Sequence, residues 1–492
     1  MSELNIAFVT SEAVPFAKTG GLADVSGALP TYLAKAGNKV KIFMPKYQQV
    51  IRGYYDLERV DGDLHCIIGE KKYEGALFKL PNGNENIEFY FIENDYFFNR
   101  PELYRDPETN NDYTDNDERF IFFCHGVLQA LKALRWQTDI IHCNDWQTAL
   151  IPVYLRSTYK DDPFYIDSKS VFSIHNLGYQ GKFPADTFAK LKLDESLFYS
   201  TGPLEFWGDV NFMKGATHFA DQVTTVSPTY AREIQGSDEY GKGLQDVLKE
   251  RSAKLTGILN GVDYETWSPK TDSLIPYRYF PANRSGKKRN KLELLHQSGL
   301  PVRMEQPLIG MISRLDAQKG FDLLEEIMDN IMGMNLQFVL LGTGDKKYHQ
   351  FFIDIQKKYP DRFKAFLQFD NSLAHLIEAG ADIFLMPSRY EPCGLNQMYS
   401  LKYGTIPIVR KTGGLADTVE DFNEKTGEGT GFVFDKYDST KLLVSIIRAC
   451  ELFGKKRIWN KIVKQAMEKD YSWSRSAETY VELYRKTISN RS

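Results

Sequence analysis

Short apolar runs alternate with amphipathic helical stretches along the whole chain, and this alternation restarts midway. Asn5–Val9 reads as a strand, followed by a glycine loop and a helix from about Leu22 to Ala36 that stops at Gly37. Val40–Met44, Asp139–His142, Val171–Ile174 and Gln222–Val226 read as further buried strands. A stretch rich in Pro, Arg and Lys (269–291) interrupts the pattern. It then resumes with strands at Leu308–Ile312, Gln337–Leu341, Asp382–Met386, Ile406–Val409 and Phe432–Phe434. Strands that alternate with helices form parallel sheets covered by helices, and the restart implies two such domains. A chain of 492 residues is long enough for two or three separate cores.

Charge and cysteine usage exclude several classes. The 61 Lys+Arg against 65 Asp+Glu leave a net charge of −4, unsuited to holding nucleic acid or an anionic membrane surface. The five cysteines are scattered without any C-x-x-C pair, so neither a disulfide framework nor a zinc site is signalled. The first residues lack a basic segment followed by an apolar one, and the longest apolar stretch, 121–136, is interrupted by polar residues. Neither a signal peptide nor a membrane span is expected, and a reducing cytoplasm fits best.

One heptapeptide occurs twice: Lys18-Thr19-Gly20-Gly21-Leu22-Ala23-Asp24 and Lys411-Thr412-Gly413-Gly414-Leu415-Ala416-Asp417. Each copy follows a strand and opens a helical pattern, so its glycines can bring backbone N–H groups to an anion. Arg314 and Lys319, in the loop after Leu308–Ile312, can converge on phosphate as a planar fork and a point charge. Glu391, with Pro392, Cys393, Gly394 and Leu395, follows another strand and is placed to accept sugar hydroxyls. His142–Trp146 and Phe172–Asn176 lie at the ends of two strands, where open α/β sheets bind ligands.

Other signals fail on inspection. The segment 236–243 approaches a phosphate-binding loop but has glycine where the magnesium ligand belongs, and it follows a helical pattern. The loop from Thr10 to Gly21 is too long for a dinucleotide fingerprint. The Asp61/Asp63 and Asp115/Asp117 pairs read as solvated loops rather than metal sites.

Taken together, these segments resemble the bacterial glycogen synthase and plant starch synthase family of retaining GT-B glycosyltransferases. The likeness is carried by Lys18–Asp24, Tyr113–Asn116, His142–Trp146, His175–Gly181, Leu259–Asp263, Ser313–Gly320, Glu391–Leu395 and Thr412–Thr418. It implies two Rossmann-like domains with parallel sheets facing a deep interdomain cleft. The implied division is an acceptor-side domain over 1–258, a nucleotide-sugar domain over 259–471 and a returning helix over 472–492.

By position, the resemblance assigns the donor diphosphate to Arg314 and Lys319, aided by Gly413 and Gly414. It places Asp145, His175, Asn260 and Glu391 around the glucosyl unit, with backbone contacts from Cys393 and Leu395. Lys18, Gly20 and Gly21 approach donor and acceptor from the other domain as donor-binding residues, and Tyr113, Asp115 and Asn116 lie on the acceptor side. Phe369 stands where many relatives stack a tyrosine on the base. The implied reaction passes glucose from ADP-glucose to the non-reducing 4-OH of an α-1,4-glucan with retention, needing neither cofactor nor metal. A UDP-glucose enzyme acting on another acceptor is the alternative.

Overall fold

The computed structural model describes residues 3–81, 84 and 86–490. The chain divides into two compact units, Met1–Gly261 with Trp473–Ser492, and Val262–Ser472.

The first unit contains strands β1 (Asn5–Val9), β2 (Lys39–Pro45), β3 (Glu58–Ile68), β4 (Lys71–Leu80), β5 (Ile87–Glu93), β6 (Ile140–Asn144), β7 (Lys169–Ile174), β8 (Lys182–Phe183), β9 (Glu205–Phe206), β10 (Asp209–Asn211), β11 (Gln222–Thr225) and β12 (Leu255–Gly257). Nine of these form one sheet in the order β12-β11-β7-β6-β1-β2-β5-β4-β3, and β8-β10-β9 form a small second sheet. The large sheet is parallel from β12 to β5, while β3 and β4 are antiparallel additions at one edge. Ile6, Phe8, Val40, Ile42, Ile140 and Val171 pack with Trp473, Tyr480 and Tyr484 of the helix Trp473–Ser489.

The second unit holds β13 (Leu308–Ile312), β14 (Gln337–Leu341), β15 (Phe363–Phe366), β16 (Ile383–Met386), β17 (Ile406–Arg410) and β18 (Phe432–Phe434), all parallel, in the order β15-β14-β13-β16-β17-β18. This is the doubly wound arrangement, whose strand order reverses between β13 and β16. Apolar side chains fill both faces: Leu324, Ile327, Phe338 and Leu340 in one layer, Leu308, Val339, Ile377 and Phe384 in the other.

Where sequence and structure differ, the reason is local. Asp61 and Asp63 lie not in a loop but at an irregularity of β3, with Asp63 paired to Arg59 at 2.7 Å. The expected solvated loop at Asp115–Asp117 is the start of the helix Asn116–Ala133. There Asp117 is buried and accepts from Thr187 Oγ1 and Lys190 Nζ, both at 2.8 Å. Among the described residues no helix is long and apolar enough to cross a membrane.

Candidate functional site

In the second unit, the loops after β13, β16 and β17 leave the same sheet edge, at and beside the reversal point. Parallel strands with a reversal in their order open a crevice at their carboxyl ends. The loop after β13 turns through Ala317–Lys319 and ends at Gly320, whose φ is +77°. A Cβ there would lie 2.1 Å from the Pro387 carbonyl oxygen, so glycine permits the two loops to touch. Arg389 N donates to Gln318 O at 2.8 Å, and Gln318 Nε2 to Tyr390 O at 3.1 Å.

The stitched loops bring Lys319 and Glu391 together. Lys319 Nζ lies 2.7 Å from Glu391 Oε2, which also accepts from Ser388 Oγ at 3.1 Å. The two side chains are only 16% and 10% exposed. Arg314, in contrast, is largely solvent-facing and makes a loose 3.6 Å pair with Asp316. Phe369, 84% exposed, follows β15, and the next residue, Asp370, caps the helix Asn371–Gly380.

The second heptapeptide copy serves close packing here. Gly414 N donates to Glu391 O at 3.2 Å and to Pro392 O at 3.1 Å. A Cβ on Gly413 would meet Glu391 O at 2.0 Å, and one on Gly414 would meet Cys393 O at 2.1 Å. The Gly414 N–H expected to face an anion is therefore engaged by the Glu391 segment. Gln397 Nε2 donates to Cys393 O and Thr418 Oγ1, and Leu395 precedes the helix Asn396–Tyr403.

In the first unit the strand order reverses between β1 and β6, and both following loops carry acidic residues. Asp145, at φ +56° and ψ −179°, occupies a backbone region that is nearly restricted to glycine. Its Oδ1 accepts from His175 N at 2.8 Å. Burial raises its carboxyl to about 7, against the opposing hydrogen bonds from the backbone of His175 and Asn176. His175 Nε2 meets Asn144 Oδ1 at 2.9 Å, and burial lowers its imidazole to about 4. His142 is structural: Nε2 meets Ser173 Oγ at 2.6 Å, and Nδ1 meets the Tyr484 hydroxyl at 2.7 Å.

The first heptapeptide copy holds an internal anion. Glu12, buried at the end of β1, accepts from Thr19 N and Thr19 Oγ1 at 2.6 Å each and from Gly20 N at 3.2 Å. Lys18 pairs with Asp24 at 2.7 Å, while Gly21 has open space where a Cβ would stand. Sequence reasoning missed Glu12, although its position just past a strand's carboxyl end was a usable signal.

Glu12 also joins this loop to the residues assigned to the acceptor. The Tyr104 hydroxyl donates to Glu12 Oε1 at 2.8 Å, and Asn116 Nδ2 to Tyr104 O at 3.0 Å. Arg119 Nη1 donates to Asn116 Oδ1 at 2.7 Å. Arg100 grips Asp115 with both guanidinium nitrogens, at 2.7 and 2.5 Å. The two guanidinium groups lie 4.7 and 5.0 Å from the centre of the Tyr113 ring. Asn260 is buried near the unit's end with Oδ1 unpartnered, and Gly261 lets the chain meet Trp473 closely.

Residues 5–250 match the starch synthase catalytic domain model, and 296–465 match the glycosyl transferases group 1 model. Glycogen synthase of Thermotoga maritima is 46% identical over 492 residues, covering 99% of each chain. That of Koribacter versatilis is 46% identical over 485 residues, covering 98% of each. The catalytic domain of Arabidopsis thaliana starch synthase IV, solved with ADP and acarbose, has a TM-score of 0.89 at 34% identity, covering 99% of this chain and 100% of that one. Sucrose-phosphate synthase of Thermosynechococcus elongatus, at 18% identity and TM-score 0.61 over 98% of this chain and 99% of that one, shares the fold. The chain thus belongs to the glycogen and starch synthase family of glycosyltransferases and has its GT-B fold.

Proposed function

We propose that the protein transfers glucose from ADP-glucose to the non-reducing 4-OH of an α-1,4-glucan with retention of configuration. The observation that carries the site assignment is the Lys319–Glu391 pair at the reversal point of the second sheet. A half-buried cation is held there against the carboxylate assigned to the sugar. Arriving diphosphate competes for Lys319, with exposed Arg314 closing as a fork on the same phosphates. Glu391 then accepts sugar hydroxyls while Phe369 stacks on the base. Gly413 and Gly414 set the approach of the Glu391–Cys393 segment, and the Leu395 helix start adds favourable backbone N–H groups.

In the reaction, the anomeric C–O bond to the diphosphate breaks and a bond to the acceptor O4 forms on the same face. The acceptor proton passes to the departing diphosphate, so ADP leaves. Lys319 and Arg314 stabilise the charge that grows on it, usually the largest catalytic contribution. The Asp145 carboxyl and neutral His175 face the glucosyl unit with Asn260, Lys18, Gly20 and Gly21 approach donor and acceptor, and Tyr113, Asp115 and Asn116 shape the acceptor side. We place the protein in the cytoplasm, where five cysteines with no disulfide among them fit a reducing medium.

A rate comparison with ADP-glucose and UDP-glucose on glycogen tests the donor. Higher kcat/KM with ADP-glucose is expected. Preference for UDP-glucose would overturn the donor assignment, since an exposed Phe369 can stack on either base.

A further inference from the structure

Trp207 sits at the tip of a hairpin whose strands, β9 and β10, pair Phe206 with Asp209. The two-residue turn has φ +55° at Trp207 and +90° at Gly208, both positive as in a type I′ turn. Asn, Asp or Gly suits the first position of such a turn, whereas a bulky side chain strains it. Packing does not offset that strain, because Trp207 is 87% exposed. Tyr54, also exposed at positive φ, follows the end of the helix Gln48–Arg52, where left-handed residues are ordinary. Trp207 has no such local reason.

The turn is nonetheless held firmly. Glu205 accepts from Gly208 N at 2.7 Å and from Thr201 N at 2.8 Å. β10 pairs along β8, which begins directly after the His175–Gly181 segment. Asn211 Nδ2 donates to Gln180 Oε1 at 2.7 Å, and Phe212 N to Gly181 O at 3.0 Å. A rigid aromatic face is thus fixed to the same segment that carries His175.

We propose that Trp207 is a stacking platform for the acceptor, receiving the apolar face of a glucose unit of an α-1,4-glucan away from the reacting end. This rests on the acceptor reading given above. The surroundings favour sugar over a protein partner. The Phe206 ring lies edge-on at 6.3 Å, and exposed Lys182, Thr201 and Asp209 belong to the same small sheet and its approach, so a small aromatic surface is rimmed by polar groups. A pyranose, with its C–H face and rim of hydroxyls, matches that pattern.

Trp207→Asn relieves the turn, so it should fold with an unchanged or higher Tm. Retardation in glycogen-containing native gels and the KM for maltoheptaose report glucan binding. Both should weaken about three- to tenfold, the size of an aromatic stacking contact, while the KM for ADP-glucose stays unchanged and Trp207→Phe retains most of the binding. Unaltered glycogen retardation and acceptor KM in Trp207→Asn, beside a wild type that extends glycogen, would overturn this inference alone. So would equal losses in the Phe and Asn variants. A wild type that neither binds nor extends glycogen would overturn the acceptor reading and this inference together.

Discussion

At the residue scale, the Lys319–Glu391 pair is where stability and the proposed catalytic role meet. Lys319→Ala leaves a mostly buried carboxylate without its cation, which costs about 3 kcal/mol of stability. On the proposed role of Lys319 the same change removes a transition-state stabiliser, and kcat/KM should fall roughly a hundred- to a thousand-fold. Melting curves and rates separate the two effects in the double variant Lys319→Met with Glu391→Gln. Its Tm should recover toward wild type while turnover stays lost. Recovery of turnover together with Tm would show that the pair serves folding only.

Asp145 gives a pH test at the same scale. Its carboxyl, raised to about 7 by burial, stays protonated in the fold where the unfolded chain has already ionised. The stability this contributes is complete below the unfolded value of about 4 and is lost as pH rises through about 7. His175 acts oppositely, its lowered imidazole removing stability as pH falls from 6.5 toward about 4. The two therefore offset each other over that window. Asp145→Asn removes the first contribution alone, so its Tm relative to wild type should climb between pH 4 and 8. A difference that stays flat over that range would place the carboxyl in the ordinary range.

At the element scale, identical heptapeptides serve different packing. The glycine at Gly414 is required by the approach of Cys393 O, while Gly21 at a helix start faces open space. Gly414→Ala should lower both Tm and kcat/KM. Gly21→Ala should leave Tm unchanged or raise it by less than about 1 kcal/mol equivalent, so any activity it loses reports a ligand contact. Differential scanning calorimetry beside initial rates reads both. Equal Tm losses in the two variants would contradict this distinction. The helix Trp473–Ser489 is tied to the sheet through the Tyr484 hydroxyl on His142. Tyr484→Phe should cost about 1–2 kcal/mol by leaving a buried ring nitrogen unpaired.

The elements differ in how plainly the sequence displays them. β1, β13, β14 and β18 were readable to the residue, since buried parallel strands are continuous apolar runs. β3 and β4 were not, because antiparallel strands at a sheet edge are largely solvated and carry polar residues at most positions. His175, Glu391 and Lys319 were visible as chemistry-bearing residues just past strand ends. The glycine contacts, the Glu12 anion and the arginines around Tyr113 depend on which loops meet, and no local pattern encodes that.

At the scale of the whole molecule, both units use one device: a doubly wound sheet with its acidic or paired groups at the reversal of strand order. Each reversal also has a strained or close-packed backbone position beside it, Asp145 in one and Gly320 in the other. The proposed binding groups lie on several strand-end loops rather than on one glycine-rich turn.

The most direct measurement supplies isotopically labelled ADP-glucose with maltoheptaose and digests the product with an exo-acting hydrolase specific for α-1,4 bonds. The account predicts stoichiometric ADP release and label at the non-reducing end, recovered fully by the hydrolase. Label that resists the hydrolase, or free labelled glucose without chain extension, would contradict it.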